Sequence, residues 1–119
     1  MCIRDSCDIA GAEVPQDRPL DGVSILPIFR NEKLNRTVPL YWRYDRAISK
    51  PFTVAMRRGD WKIIADTALT QFELYNLKED PTEKNDLSQT QPRRLARMKD
   101  ALKTLHAQID AEGPKWPAR

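Results

Sequence analysis

An aromatic and cationic run, Tyr41-Trp42-Arg43-Tyr44 with Arg46 two residues further on, holds the side chains of this sequence best suited to binding chemistry. Aromatic faces stack on rings and attract cations, and an arginine guanidinium presents a planar fork of N–H donors to an anion. The combination suits a sugar or aryl ring that carries an anionic group. Alternatively, every second residue fills the core and the others form a solvated strand face. We predict ligand contacts for Trp42, Arg43, Tyr44 and Arg46.

His106 is the single histidine. A zinc site needs several Cys or His ligands at short spacings, and the sequence has no such cluster. A Ser-His-Asp arrangement would need a serine in a nucleophile elbow, a context that Ser24 and Ser88 lack. We therefore predict a structural or surface role for His106.

Four side chains that carry a carboxylate or a carboxamide lie within a short span: Asp80, Glu83, Asn85 and Asp86. Calcium prefers oxygen ligands, but the span lacks the central glycine and the alternating acids of an EF-hand loop. Asp80 suits a helix N-cap with Pro81 in the first helical position, and Glu83 stands at the capping-box position. The pattern predicts a short, capped helical turn rather than a metal site.

The candidate residues lie within β-prone segments that are followed by one amphipathic segment. Four such segments indicate an antiparallel meander: 38–44, 52–58, 61–65 and 72–77. Gly59 supplies the positive φ of a tight hairpin between the second and third. Apolar residues then recur at steps of three and four: Leu95, Met98, Leu102, Leu105 and Ile109. The predicted fold class is α+β, with a four-stranded antiparallel sheet packed against a C-terminal helix.

That helix should begin near Thr90 or Gln91, with Pro92 in its first turn, and end at Gly113. Its other face is basic and is interpreted as a solvated surface. Upstream, Gly11 should close one helix, and Ser24 should cap a short apolar helix over 25–30 that anchors the chain to a larger body.

Composition limits the class of protein. The 119 residues carry a net charge of +3, and basic and acidic side chains are intermixed, which gives little support to nucleic-acid binding. The apolar runs are too short to cross a bilayer. We therefore expect neither a nucleic-acid partner nor a membrane partner.

Five short motifs follow one another along the chain: LDGVSILP at 20–27, PLYW at 39–42, GDWKII at 59–64, LYNL at 74–77 and DPTEKNDL at 80–87. This series resembles the C-terminal region of the arylsulfatase-type, formylglycine-dependent sulfatases. Both their order and their spacing match those of the family. The resemblance runs from about Cys7 to about Ile109 and so covers most of the chain.

The resemblance implies a sulfuric ester hydrolase that acts on aryl or carbohydrate sulfates. Family enzymes use a formylglycine made from the Cys or Ser of a C/S-x-P-x-R motif, together with a bound calcium ion. Neither Cys2 nor Cys7 has the required Pro and Arg. We therefore assign no catalytic residue, no metal ligand and no cofactor to this chain, and we expect it to be inactive alone.

The expected organisation has four parts. Residues 1–6 are interpreted as a non-native start, 7–37 as the link to a missing N-terminal catalytic domain, 38–112 as the sulfatase C-terminal subdomain and 113–119 as a tail. The resemblance implies a periplasmic, lysosomal or secreted location and a sulfated small molecule or glycan as ligand. The alternative is a stand-alone carbohydrate- or anion-binding module, which would bury Ile25, Leu26, Ile28 and Phe29 instead of exposing them.

Overall fold

The computed structural model describes residues 3–17, 19–44 and 52–113. The predicted ligand residue Arg46 lies outside this part of the chain. The chain divides into two compact units, Met1–Leu40 and Tyr41–Arg119, here named the N-terminal unit and the C-terminal unit.

The N-terminal unit contains two helices among its described residues, α1 (Ile3–Ala10) and α2 (Leu26–Phe29). Gly11 ends α1 with a φ of 63°, as predicted. The predicted helix over 25–30 is shorter than expected, because Ile25 occupies the N-cap position instead of Ser24. The Ser24 hydroxyl still accepts the Leu26 amide at 3.4 Å, and the Ile25 amide donates to the Asp5 carboxylate of α1 at 2.7 Å.

The predicted antiparallel sheet is confirmed. In the described residues its strands are β1 (Leu40–Arg43), β2 (Phe52–Arg58), β3 (Trp61–Asp66) and β4 (Phe72–Asn76), in the spatial order β1-β2-β3-β4. Gly59 has a φ of 60° in the turn between β2 and β3, which is the left-handed conformation that glycine adopts without a steric cost.

One face of the sheet carries the core of the C-terminal unit. Val54 and Met56 of β2 lie beside Ala65 and Ile63 of β3, and Ile63 pairs in turn with Leu74 of β4. All five residues are buried. Residues of one strand alternate between the two faces, so the positions between them point to the opposite face.

The helix α3 (Pro92–Glu112) covers that core. Met98 and Leu102 are buried against the sheet, and Leu95 and Leu105 pack around them, so the predicted apolar stripe is confirmed. The helix begins after Gln91 and ends before Gly113, close to the predicted limits. No helix in the described part of the chain is long and apolar enough to cross a bilayer.

The span after β4 differs from its prediction. It forms turns instead of a helical turn, and Glu83 has a φ of 54°, which is incompatible with a helical capping box. The Asp80 carboxylate still accepts backbone N–H groups, from Lys84 and Asn85 at 2.8 Å each. The predicted capping chemistry is therefore present, but it closes a loop.

Candidate functional site

The candidate site is a groove on the sheet face opposite α3, with a volume of about 400 Å³. It is lined by Trp42, Ala55, Arg57, Lys62, Leu77 and Glu83. Strand alternation explains the set: Ala55 and Arg57 are the β2 positions next to the buried Val54 and Met56, and the register pairs Arg57 with Lys62. The groove therefore combines apolar and charged side chains on a rigid sheet.

Trp42 places its indole in this groove, with 48% of the residue exposed. A tryptophan side chain combines a large apolar face with an N–H donor, which makes an accessible indole a candidate for ligand contact. Of the predicted ligand residues that the structure describes, namely Trp42, Arg43 and Tyr44, Trp42 is the one that lines the groove.

An ion pair sets the charge of the groove. Lys62 Nζ donates to both carboxylate oxygens of Glu83, at 2.6 and 2.7 Å. Both side chains are largely shielded from solvent, so the pair is better formed than a typical surface salt bridge. Because the two charges cancel locally, the remaining formal charge of the lining residues belongs to Arg57.

Arg57 is the functional candidate that the sequence motifs did not single out. Its Nε donates to the Gly59 carbonyl at 2.8 Å, which fixes the guanidinium near the turn between β2 and β3. Its two terminal nitrogens have no partner among the described residues. The signal in the sequence was the alternation of β2, which already separates Arg57 from the core positions.

The structure separates Arg43 from Trp42. Arg43 points to the α3 side and donates to Asp110 at 2.6 Å. Tyr44 follows the last residue of β1 and is 64% exposed. The predicted set is therefore split between the two faces of the sheet, and its roles in ligand binding remain predictions.

His106 has the structural placement predicted for it. The Tyr41 hydroxyl lies 2.7 Å from its Nδ1, and Asp110 Oδ2 lies 3.3 Å from its Nε2. The ring is mostly buried between β1 and α3. The network links the first strand of the sheet to the last helix.

The basic face of α3 is not entirely solvated, which corrects the interpretation from sequence. The Arg94 guanidinium lies 4.1 Å from the centre of the Trp61 ring, and Lys99 Nζ lies 4.5 Å from the centre of Phe72. Both distances fall in the cation–π range. These cations therefore pack the helix onto the edge of the core.

The described residues do not fit the calcium ion of the sulfatases. They contain no group of three or more His, Cys, Asp or Glu side chains that could hold a metal ion. The acids after β4 bind the chain itself: Asp86 accepts the amides of Leu74 and Ser88 at 2.9 Å each. The sequence likewise contains no C/S-x-P-x-R motif that could supply a formylglycine.

Comparisons with known proteins agree with this architecture. The family model for the C-terminal region of N-sulphoglucosamine sulphohydrolase matches residues 4–112. A choline-sulfatase of Rhizobium meliloti is 35% identical over 83 residues, which cover 69% of this chain and 16% of that protein. The chain thus spans about a sixth of the length of this relative.

Solved sulfatase structures share the fold. A sulfatase from Bacteroides thetaiotaomicron superposes with a TM-score of 0.64 at 24% identity, covering 97% of this chain and 26% of the other. A 2-O GAG sulfatase gives a TM-score of 0.63 with the same identity and coverage. A structure bound to D-glucosamine-2-N,6-O-disulfate gives 0.55 at 23% identity and covers 92% of this chain and 23% of the other.

The match over residues 4–112 defines the class of protein: a C-terminal region of the sulfatase type. This chain belongs to the N-sulphoglucosamine sulphohydrolase C-terminal family.

Proposed function

We propose that this chain is the C-terminal domain of a longer sulfatase that hydrolyses sulfate esters, and that the reaction itself takes place on a preceding catalytic domain. In this proposal the catalytic domain supplies the formylglycine and the calcium ion. The C-terminal domain completes the fold and borders the substrate pocket. The coverage supports this reading, since the chain corresponds to 16% of its choline-sulfatase relative and to 26% of a sulfatase of known structure.

The observation that carries the proposal is the exposed apolar surface of α2. Ile25, Ile28 and Phe29 are 41, 51 and 76% exposed. A cluster of this kind indicates a protein contact, because exposing large apolar groups to water is unfavourable. We assign this surface to the contact with the catalytic domain.

The same exposure weighs against the alternative of a stand-alone binding module, which would bury these side chains. The ligand-contact proposal for Trp42, Arg43, Tyr44 and Arg46 is compatible with either function. A sulfated sugar and a sulfated small molecule are both candidate substrates, because the relatives include a 2-O GAG sulfatase and a choline-sulfatase.

The first experiment extends the coding sequence upstream and assays the longer product for sulfate release from an aryl sulfate and from sulfated sugars. We expect a C/S-x-P-x-R motif upstream, sulfate release by the longer product and none by the 119-residue chain. Replacing the motif Cys or Ser with Ala is the control and should abolish release. A longer product that contains the motif but releases no sulfate from any sulfate ester would overturn the proposal.

A second experiment tests the contact through α2. The catalytic domain and this chain are produced separately and mixed on a size-exclusion column. We expect a complex that Phe29→Ser weakens and that Arg30→Ser, an exposed polar neighbour, leaves intact. Equal binding by the two variants would place the contact elsewhere.

A further inference from the structure

We propose that the groove beside Trp42 binds a sulfated sugar ring, with Arg57 as the residue that recognises the sulfate group. This inference rests on the proposed sulfatase function, and it adds a specific ligand position and a specificity-determining residue. Three properties of the groove support it: among the described residues Arg57 is the cation that is not neutralised by an ion pair, the walls are partly apolar, and the supporting strands are rigid.

Of the two cations in the groove, Arg57 is better placed than Lys62 to bind a sulfate group. Lys62 Nζ contacts both oxygens of Glu83, so the charge of the ammonium is neutralised and two of its three donors are in use. Within the part of the chain that the structure describes, Arg57 uses only its Nε, in the bond to the Gly59 carbonyl. Its terminal nitrogens can therefore donate two parallel hydrogen bonds to one oxyanion, the arrangement in which arginine surpasses lysine.

The apolar surface fits a sugar ring. The half-exposed indole of Trp42 lies in the same groove as the small side chain of Ala55 and the aliphatic side chain of Leu77. Binding sites for small molecules typically combine such apolar and aromatic walls with a few oriented polar groups. An uncharged ring would use only the indole, whereas a sulfated ring would use both the indole and Arg57.

The groove is also fixed in shape. Ala55, Arg57 and Lys62 lie on paired strands, and Glu83 is positioned by a left-handed backbone conformation that is uncommon for a residue other than glycine. Unusual backbone of this kind tends to accumulate at functional sites. Here it brings the Glu83 carboxylate onto Lys62 and so leaves Arg57 as the uncompensated cation.

The test is an NMR titration of the full 119-residue chain with ¹⁵N-labelled tryptophan, which follows the indole N–H signal of Trp42. Trp42→Phe assigns the signal. The probes are glucosamine 6-sulfate, glucosamine and inorganic sulfate at millimolar concentrations. We expect saturable shifts with glucosamine 6-sulfate and at least about tenfold weaker binding of glucosamine, the effect of losing one charge-assisted interaction.

Variants then locate the sulfate contact. Arg57→Gln should weaken binding of glucosamine 6-sulfate by about tenfold, while Arg58→Gln should leave it unchanged, because Arg58 carries the same charge but does not line the groove. Glu83→Gln should tighten binding, since it frees the Lys62 ammonium for the anion. Retention of the wild-type amide spectrum establishes that each variant is folded.

Equal shifts with glucosamine and with its 6-sulfate, equal losses from Arg57→Gln and Arg58→Gln, or no shift at all with glucosamine 6-sulfate would each overturn the inference. The titration involves no turnover. If the longer product releases sulfate but glucosamine 6-sulfate does not shift the Trp42 signal, the proposed function stands and only the binding site in the groove is refuted. If glucosamine 6-sulfate binds the groove but the longer product has no sulfatase activity, the proposed function is refuted and the binding site stands.

Discussion

The hydroxyl of Tyr41 and Nδ1 of His106 lie 2.7 Å apart and join β1 to α3 across 65 positions of the sequence. Asp110 continues the link on the other side of the ring and also binds Arg43 at 2.6 Å. Two residues of β1 are thus tied to two residues of α3. This network fixes the strand from which Trp42 projects into the groove.

Removing the Tyr41 hydroxyl should destabilise the C-terminal unit. Tyr41→Phe deletes the hydrogen bond to His106 and leaves Nδ1 without this partner, which should lower the free energy of unfolding by about 1 kcal/mol. Urea unfolding followed by circular dichroism measures the change. Tyr44→Phe is the matched control, and its exposed hydroxyl should matter by less than about 0.5 kcal/mol. Identical midpoints for the two variants would contradict a structural role for the Tyr41–His106 bond.

The stacking of Arg94 on Trp61 should also contribute to stability. Arg94→Ala removes the guanidinium that lies 4.1 Å from the ring centre, together with its aliphatic stem, and should cost roughly 0.5–1 kcal/mol. Arg93→Ala is a neighbouring control, because Arg93 is exposed on the same helical turn. Thermal unfolding of the two variants compares them directly. A melting temperature lowered equally in both would mean that net charge, rather than stacking, is responsible.

Acid should destabilise the fold partly through Asp86. Partial burial by itself raises the pKa of the Asp86 carboxyl, but the bonds donated by Leu74 and Ser88 together outweigh it and hold the pKa below the ordinary value of 3.8. The unfolded chain therefore binds a proton at higher pH than the folded one. The stabilisation is complete above the unfolded pKa and is lost as the pH falls through the folded pKa.

Asp86→Asn should accordingly lower stability at neutral pH and flatten the loss of stability below about pH 4. Urea unfolding at a series of pH values measures both effects. Asp60→Asn, in the exposed turn between β2 and β3, is the matched control, because it removes one carboxylate and keeps the bonds to Asp86. A profile for Asp86→Asn that runs parallel to that of the wild type would exclude Asp86 as a source of the acid sensitivity.

Much of the C-terminal unit was predictable from local pattern. The apolar stripe of α3 and the alternation of β2 fixed the core positions, because each repeats with the period of its element. Gly59 indicated the hairpin, because a tight turn needs a residue that adopts a positive φ without a steric cost. These features depend on neighbours in sequence, and the structure agrees with them.

The features that local pattern did not predict depend on contacts between residues that are distant in sequence. Asp80 and Glu83 fit a helix start locally, but the Glu83 carboxylate bonds to Lys62, and its backbone takes a left-handed conformation there. The splitting of Trp42 from Arg43 followed from strand alternation and was available in the sequence. The bond between Tyr41 and His106 could not be predicted from the sequence, because two residues so far apart along the chain give no local signal.

The outer edge of β4 has a consequence for association between copies of the protein. The Leu74 amide donates to the Asp86 carboxylate at 2.9 Å, and the Leu74 carbonyl accepts the Leu87 amide at 2.8 Å. An edge strand with open N–H and C=O groups is a template for pairing with another chain, and such pairing leads to aggregation. At Leu74 both backbone groups already have partners, so residues 86–87 block the pairing of a strand from another molecule at this position of the sheet edge.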